Sequence, residues 1–167
     1  MELAQKVEIP LPPEAVWDAL NDPEVLKQCL PGCEEFSPVE ENKFHILIQA
    51  KVGPVKAKFN GEVELSNITP PTSYTLSGAG KGGVAGFAKG SANVQLSPAT
   101  VNGTDGTEMT YEVNAAVGGK LAQIGSRLVN GAAKKMAAEF FTNFVRVVCD
   151  DTEGKLEVNL QTLSSDG

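Results

Sequence analysis

The chain has 167 residues, a length that suits one domain with a sizeable core and is short for two. It carries 21 acidic and 14 basic side chains, so its formal net charge is -7. Proteins that bind nucleic acid usually carry a basic surplus that neutralises phosphates, and that class is rejected. The sequence lacks both a signal-peptide pattern and the roughly 18 apolar residues of a membrane span, which predicts a cytoplasmic protein.

The first part of the chain is predicted to form a strand followed by two short helices. Apolar and polar residues alternate over residues 2–10, as in a half-buried strand. Pro12 and Pro13 then stop the strand and suit the first turn of a helix. A second short helix is expected after Asn21 or Asp22, either of which can cap it, and it ends before Gly32.

Residues 34–117 are predicted to form about six antiparallel strands. The even positions are apolar over residues 44–52, and the odd positions are apolar over residues 55–65. This alternation is typical of an antiparallel sheet with one face in water. Clusters of glycine, proline and asparagine separate the strands and supply the turns. His45, the only histidine, has the parity of the outer face.

One long helix is predicted from Gly118 to about Val148, where apolar residues recur at helical spacing. A sheet with one apolar face must cover that face, and this helix is the largest partner available. The sequence therefore predicts an α+β domain over residues 1–149. In it, a curved antiparallel sheet of about seven strands wraps around the long C-terminal helix and leaves a pocket between them. Residues 150–167 are expected to be a flexible tail, with a short strand over residues 155–163 as the alternative.

Two neighbouring strands within residues 77–92 are rich in glycine. Residues 78–83 match the pattern G-x-G-x-x-G, but the chain continues as a strand and not into the helix that a dinucleotide-binding loop requires. Strand parity places glycines and alanines, Gly80 and Gly90 among them, on the concave face. Glycine in a strand costs stability, so this patch implies a spatial need. Either the long helix packs closely against it, or the missing side chains leave room for a ligand.

The concave face offers few groups for catalysis. Strand parity places no carboxylate or histidine inward, which argues against an acid–base or nucleophilic enzyme. Tyr74 and Tyr111 are inward hydroxyls, each able to donate a hydrogen bond to a ligand or to the backbone. The pattern of Cys29, Cys33 and Cys149 predicts neither a disulfide framework nor a zinc site, and a Cys29–Cys33 bridge remains an alternative to buried thiols. No cofactor is predicted.

Four sequence motifs resemble those of one known family. They are LPGCE at 30–34, GPV at 53–55, the glycine-rich strands and, most specifically, VGGKLAQIGSRL at 117–128. Over about residues 1–148 the chain resembles the CoxG family, the G subunit of carbon monoxide dehydrogenase. The resemblance implies a START-like (SRPBCC, Bet v 1-like) helix-grip fold that binds hydrophobic ligands. It also implies a non-catalytic accessory protein of molybdenum hydroxylases such as carbon monoxide dehydrogenase, which brings the enzyme to the membrane and holds a quinone or lipid tail.

Some members of that family carry a C-terminal apolar segment, which the sequence LEVNLQTLSSDG lacks. Membrane contact is therefore expected to be peripheral, through the basic side of the helix or through loop residues such as Phe87. The alternatives are a scaffold protein with a filled cavity and a cyclase- or hydrolase-like enzyme of the same fold. The predicted ligand-binding residues are Phe44, Ile46, Phe59, Tyr74, Gly80, Gly90, Met109, Tyr111, Leu121, Ile124, Leu128 and Met136.

Overall fold

A computed structural model describes residues 1–149 and 159–165, and it confirms the predicted α+β architecture. The helices are α1 (Pro13–Leu20), α2 (Pro23–Cys29), α3 (Lys120–Gln123) and α4 (Ser126–Val148). The strands are β1 (Glu2–Ile9), β2 (Cys33–Glu40), β3 (Lys43–Val52), β4 (Val55–Thr69), β5 (Ser73–Lys81), β6 (Phe87–Val101), β7 (Thr104–Gly118) and β8 (Asn159–Ser165).

The eight strands form one antiparallel sheet in the order β2-β3-β4-β5-β6-β7-β1-β8. Strands β2 to β7 are joined by short turns, so that neighbours in the chain are neighbours in the sheet. Strand β1 closes the order by pairing with β7, and β8 then pairs with the other side of β1, with Val7 opposite Leu160. The sheet thus has one strand more than expected. That strand lies within the stretch expected to be a tail, whereas residues 150–158 and 166–167 lie outside the described residues.

The two short helices begin as the sequence suggests. Pro13 occupies the first turn of α1, where its missing N–H costs no hydrogen bond. Asp22 caps α2, since its carboxylate oxygen accepts a hydrogen bond from the backbone N–H of Glu24 at 3.0 Å.

The prediction of a single helix over residues 118–148 is wrong at its start. Gly125 has φ +96°, a conformation outside the helical region that glycine adopts at little cost, and it separates α3 from α4. Because the chain changes direction there, residues before and after Gly125 do not share one helical stripe.

The densest part of the core lies where the C-terminal half of α4 meets α1 and strand β1. Phe144 and Val145 of α4 and Val7, Ile9 and Val16 are almost completely inaccessible to solvent. The N-terminal half of α4 is packed more loosely. Leu128 is 44% exposed, and a β-carbon added at Gly131 would meet no atom within 4 Å. The core therefore holds α4 against the sheet mainly through its C-terminal half.

Candidate ligand-binding cavity

A cavity of about 360 Å³ lies between the concave face of the sheet, α4 and the two short helices. The sheet side is lined by Met1, which precedes β1, and by the strand residues Leu3, Phe36, Phe44, Ile46, Val63, Leu65, Tyr74, Leu76, Ala92, Val94, Met109, Tyr111 and Val113. The helical side is lined by Leu20, Asn21, Leu26, Leu30, Ala133, Met136, Ala137, Phe140 and Phe141. Strands and helices from most of the fold thus face one space, which is of the size that proteins use for small ligands.

The lining is almost entirely apolar. Among the described residues that form it, only Asn21, Tyr74 and Tyr111 carry a nitrogen or oxygen atom in the side chain. A charged or strongly polar ligand would lose its hydration here without gaining compensating hydrogen bonds. The cavity therefore suits an apolar molecule with few polar groups.

The hydroxyl of Tyr111 is held by a partner within the protein. It donates a hydrogen bond to Oε1 of Gln5, which is only 2% exposed, and Gln5 Nε2 in turn donates to Thr162 Oγ1 at 3.0 Å. Burial raises the pKa of Tyr111, so the hydroxyl keeps its proton at physiological pH. These hydrogen bonds join β7, β1 and β8, and they commit Tyr111 to structure.

Tyr74 differs from Tyr111 in this respect. Burial raises the pKa of Tyr74 to about 12, and the ring meets Trp17 edge-to-face at a centroid distance of 5.4 Å. Its hydroxyl makes no hydrogen bond with any other part of the described chain. Of the two predicted inward tyrosines, Tyr74 is therefore the one whose hydroxyl has no hydrogen-bond partner within the described residues.

The structure brings together half of the residues predicted to bind a ligand. Strand parity correctly placed Phe44, Ile46, Tyr74, Met109 and Tyr111 at the cavity, and the helical stripe placed Met136 there. Sequence reasoning missed the other lining residues. They lie at Met1, on the strands (Leu3, Phe36, Val63, Leu65, Leu76, Ala92, Val94 and Val113), in and beside α1 and α2 (Leu20, Asn21, Leu26 and Leu30), and on α4 (Ala133, Ala137, Phe140 and Phe141). Phe59, Gly80, Gly90, Leu121, Ile124 and Leu128 lie outside this cavity.

Phe59 and the glycines pack against one another beyond the cavity. A β-carbon at Gly82 would lie 2.6 Å from Cε1 of Phe59, so the ring occupies the space above that glycine. One at Gly90 would clash with the backbone carbonyl oxygen of Asn114. The atoms nearest to Gly80, Gly82 and Gly90 all belong to strands, so the long helix does not pack against these three glycines. A β-carbon at Gly80 would make only ordinary contacts, the nearest at 3.7 Å to Cβ of Phe59.

Leu121, Ile124 and Leu128 were expected to lie on one helical stripe facing the cavity. The break at Gly125 separates them, because Leu121 belongs to α3 and Leu128 to α4. Leu121 is buried at 4% exposure in α3, and Ile124 is half-buried at the junction. Leu128 begins the exposed part of α4, where its Cδ1 lies 3.2 Å from the β-carbon position of Gly53 in the β3–β4 turn. These residues therefore line the end of the fold and not the cavity.

His45 and the cysteines lie away from the cavity lining. On the outer face, Nε2 of His45 is 2.6 Å from Asn60 Oδ1 and Nδ1 is 3.3 Å from Glu35 Oε1, and these contacts raise the histidine pKa. Cys29 and Cys33 are free thiols, and burial raises the pKa of Cys29 to about 11. In residues 1–149 and 159–165, no three His, Cys, Asp or Glu side chains are grouped for a metal ion.

Comparison with models of protein families identifies the family of the chain. The family model described as CoxG, the G subunit of carbon monoxide dehydrogenase, matches residues 6–149. The chain belongs to the CoxG family. No curated protein is similar enough to extend this comparison.

Solved structures agree on the fold. A conserved protein from Geobacillus kaustophilus is 29% identical, with a TM-score of 0.84 over 96% of this chain and 99% of that one. TTHA0849 from Thermus thermophilus is 16% identical, with a TM-score of 0.62 over 91% and 99% of the two chains. Ara h 8.0201, a Bet v 1-like protein, is also 16% identical, with a TM-score of 0.62 over 90% and 98%. The chain therefore has the helix-grip fold.

None of the helices in the described part of the chain combines the length and hydropathy that a membrane span requires.

Proposed function

We propose that this protein is a non-catalytic accessory protein that binds a quinone- or lipid-like molecule in the cavity. The observation that carries the proposal is the apolar lining of a 360 Å³ space in a fold with a well-packed core elsewhere. Apolar surface placed in such a space is stabilised by about 25 cal/mol per Å² removed from water. A quinone ring or an acyl or isoprenoid tail has the chemistry that this lining accepts.

The accessory role rests on family membership. A member of the CoxG family is expected to serve a molybdenum hydroxylase of the carbon monoxide dehydrogenase type. In this proposal the protein works on the cytoplasmic side of the membrane, recruits the enzyme there and carries the hydrophobic ligand. The two alternatives have less support. A scaffold with a filled interior does not account for the open volume, and the described cavity lining has no carboxylate, histidine or lysine side chain for acid–base catalysis.

The proposal is tested by asking what the purified protein holds. Native mass spectrometry of freshly purified full-length protein, followed by solvent extraction, is expected to reveal about one equivalent of a quinone or lipid. Trp17 gives a second measurement, since it is the only tryptophan and its ring contacts Tyr74 at the cavity. Added short-tailed ubiquinone or menaquinone analogue should quench its fluorescence to saturation. A protein that is empty and shows no saturable quenching would overturn the proposal in favour of a scaffold.

Two tyrosine-to-phenylalanine variants separate ligand binding from structural hydrogen bonding. Tyr74→Phe is expected to weaken binding of the quinone analogue about threefold to tenfold, since one hydrogen bond contributes about 0.5–1.5 kcal/mol. Tyr111→Phe is expected instead to lower the free energy of unfolding by about 1–3 kcal/mol, because it leaves buried Gln5 Oε1 without its donor. Quenching titrations and urea unfolding measure the two effects.

A hydrocarbon ligand without a carbonyl group is the control for this pair. Its affinity should be the same for Tyr74→Phe and the unsubstituted protein, because it has no group for the hydroxyl to bind. If Tyr111→Phe weakened quinone binding more than Tyr74→Phe did, the assignment of the polar anchor to Tyr74 would be wrong.

A further inference from the structure

Basic and acidic side chains are segregated along this sequence. Three stretches without Asp or Glu, residues 42–61, 65–104 and 113–138, contain ten of the fourteen lysines and arginines. These stretches include the β3–β4 turn, the β5–β6 loop and the connection from β7 through α3 to α4. An overall charge of -7 therefore hides a local basic surplus.

The fold brings these three connections to one end of the molecule. The ring of Phe59 in β4 covers Gly82 in the β5–β6 loop, with Cε1 2.6 Å from that glycine's β-carbon position. In the same loop, Cα of Gly86 is 2.6 Å from the β-carbon position of Gly119, just before α3. Leu128 of α4 contacts Gly53 in the β3–β4 turn. We call this end the basic end.

At this end Lys58 of β4 pairs with Glu34 at 3.2 Å, whereas six other exposed basic side chains form no salt bridge within residues 1–149 and 159–165. They are Lys51, Lys56, Lys81, Lys89, Lys120 and Arg127. The opposite end is acidic. It contains α1, α2 and the β2–β3 and β6–β7 turns, with Glu14, Asp18, Asp22, Glu24, Glu40, Glu41 and Asp105. The molecule thus has a charge polarity along its strands.

Large apolar side chains are exposed among these basic residues. Val84 in the β5–β6 loop is 85% exposed, the most exposed large apolar side chain in the described part of the chain. Phe87 beside it is 47% exposed, and Leu128 is 44% exposed. Exposed apolar groups surrounded by basic ones are the combination found on surfaces that bind at a lipid–water interface.

The apolar concave face connects the cavity to this end. Ile46 lines the cavity, and Ile48, Ala50 and Val52 continue the same face of β3 up to the β3–β4 turn. All three are only half-buried, because α4 packs loosely over this part of the sheet. A hydrophobic molecule moving between a bilayer and the cavity would have an apolar path along β3.

We propose that the basic end is the surface that lies on an anionic lipid bilayer, with Val84 and Phe87 inserted among the headgroups. The proposal rests on the proposed function in one respect, that the ligand enters the cavity from the membrane. Lysines close to an anionic surface each contribute about 1 kcal/mol of attraction, and the exposed apolar side chains add burial energy when they insert. The acidic end then faces away from the membrane.

The test is flotation of full-length protein with vesicles that contain no quinone. Unsubstituted protein is expected to float with phosphatidylglycerol vesicles at low salt and to dissociate from them as the salt concentration rises. With phosphatidylcholine vesicles it should remain unbound in the bottom fraction. Val84→Glu and the double variant Lys51→Gln/Lys56→Gln are each expected to lower the partition coefficient by at least about tenfold. Matched controls lie away from the basic end. Val39→Glu alters a 51% exposed valine, and Lys6→Gln/Lys43→Gln removes two other lysines.

The controls should bind vesicles as the unsubstituted protein does. Equal losses in control and test variants, or no loss in Val84→Glu, would overturn the assignment of the surface. Absence of vesicle binding, combined with weaker capture of the partner hydroxylase by Val84→Glu, would overturn the membrane proposal and make this end an interface for an acidic protein. Tryptophan quenching by the quinone analogue is measured on the same variants. Vesicle binding without quenching would contradict the proposed function alone, and quenching without vesicle binding would contradict this inference alone.

Discussion

Replacing Ala92 by phenylalanine is expected to weaken the binding of a quinone or lipid strongly while the protein stays folded. Ala92 lies on β6, its side chain is half-buried, and it lines the cavity between its strand neighbours Leu76 and Val113. A phenyl ring there would extend into open volume. In a filled core the same added bulk would cost about 1–3 kcal/mol in strain.

The expected result in a Trp17 quenching titration is an affinity at least about tenfold lower, which corresponds to about 1.4 kcal/mol of lost binding energy. Thermal unfolding should change by only a few degrees, because the ring fills space and does not displace packed side chains. Ala116→Phe is the matched control, since Ala116 is exposed on the outer face of β7. It should leave both the affinity and the unfolding temperature unchanged.

Two outcomes would have different meanings. Unchanged affinity in a folded Ala92→Phe protein would show that the ligand binds elsewhere, and the cavity proposal would be wrong. If Ala92→Phe failed to fold, Ala137→Phe would be tested in its place, because it fills the same cavity from α4 without altering the sheet. Loss of binding in that variant would support the proposal, and retained binding would contradict it.

The strand face of the cavity was predictable because alternation in a strand is a strict geometric rule. Side chains two residues apart point to the same side, so Phe44 and Ile46 on β3 or Met109 and Tyr111 on β7 follow from parity alone. The same rule, applied to β1, places polar Gln5 inward with Leu3 and Val7, where it serves as the acceptor for Tyr111. Because Gln5 is polar and interrupts the apolar inward face of β1, the sequence pattern did not predict this hydrogen bond.

The helical face was harder to predict because it depends on long-range packing. An amphipathic pattern shows which side of a helix is apolar, but it does not show which turns lie over the centre of a sheet. The buried contacts of Phe144 and Val145 place the C-terminal half of α4 over the sheet, so Phe140 and Phe141 line the cavity. Leu121 lies before the break at Gly125 and Leu128 just after it, so the sequence pattern that joins them does not correspond to one helical face.

Strand β8 illustrates a further limit of sequence reading. Asn159–Ser165 has the composition of an exposed segment, and its pairing with β1 is a nonlocal contact that short-range patterns do not indicate. Gln5 Nε2 donates to Thr162 Oγ1 across this pairing, at 3.0 Å. Without knowing that Gln5 lies on the inward face of β1, one could not expect its amide to have a hydrogen-bond partner on β8.

Phe144→Ala is expected to be strongly destabilising, lowering the free energy of unfolding by about 3–5 kcal/mol. Phe144 has no measurable exposure, and its ring stacks on Phe140 at a centroid distance of 5.7 Å. Removing it leaves a void in the densely packed half of α4. Since domains of this size are stable by about 5–15 kcal/mol, the loss is a large fraction of the total.

Urea unfolding measures this loss as a lower midpoint with an unchanged slope. Val147→Ala is the control on the same helix, because Val147 is 38% exposed, and its effect should stay within about 0.5 kcal/mol. A loss below about 1 kcal/mol in Phe144→Ala would mean that α4 is held by contacts other than those at its C-terminal half. The cavity would then lack a fixed helical wall, and the partition of α4 into a packed half and a loose half, on which the path along β3 depends, would be wrong.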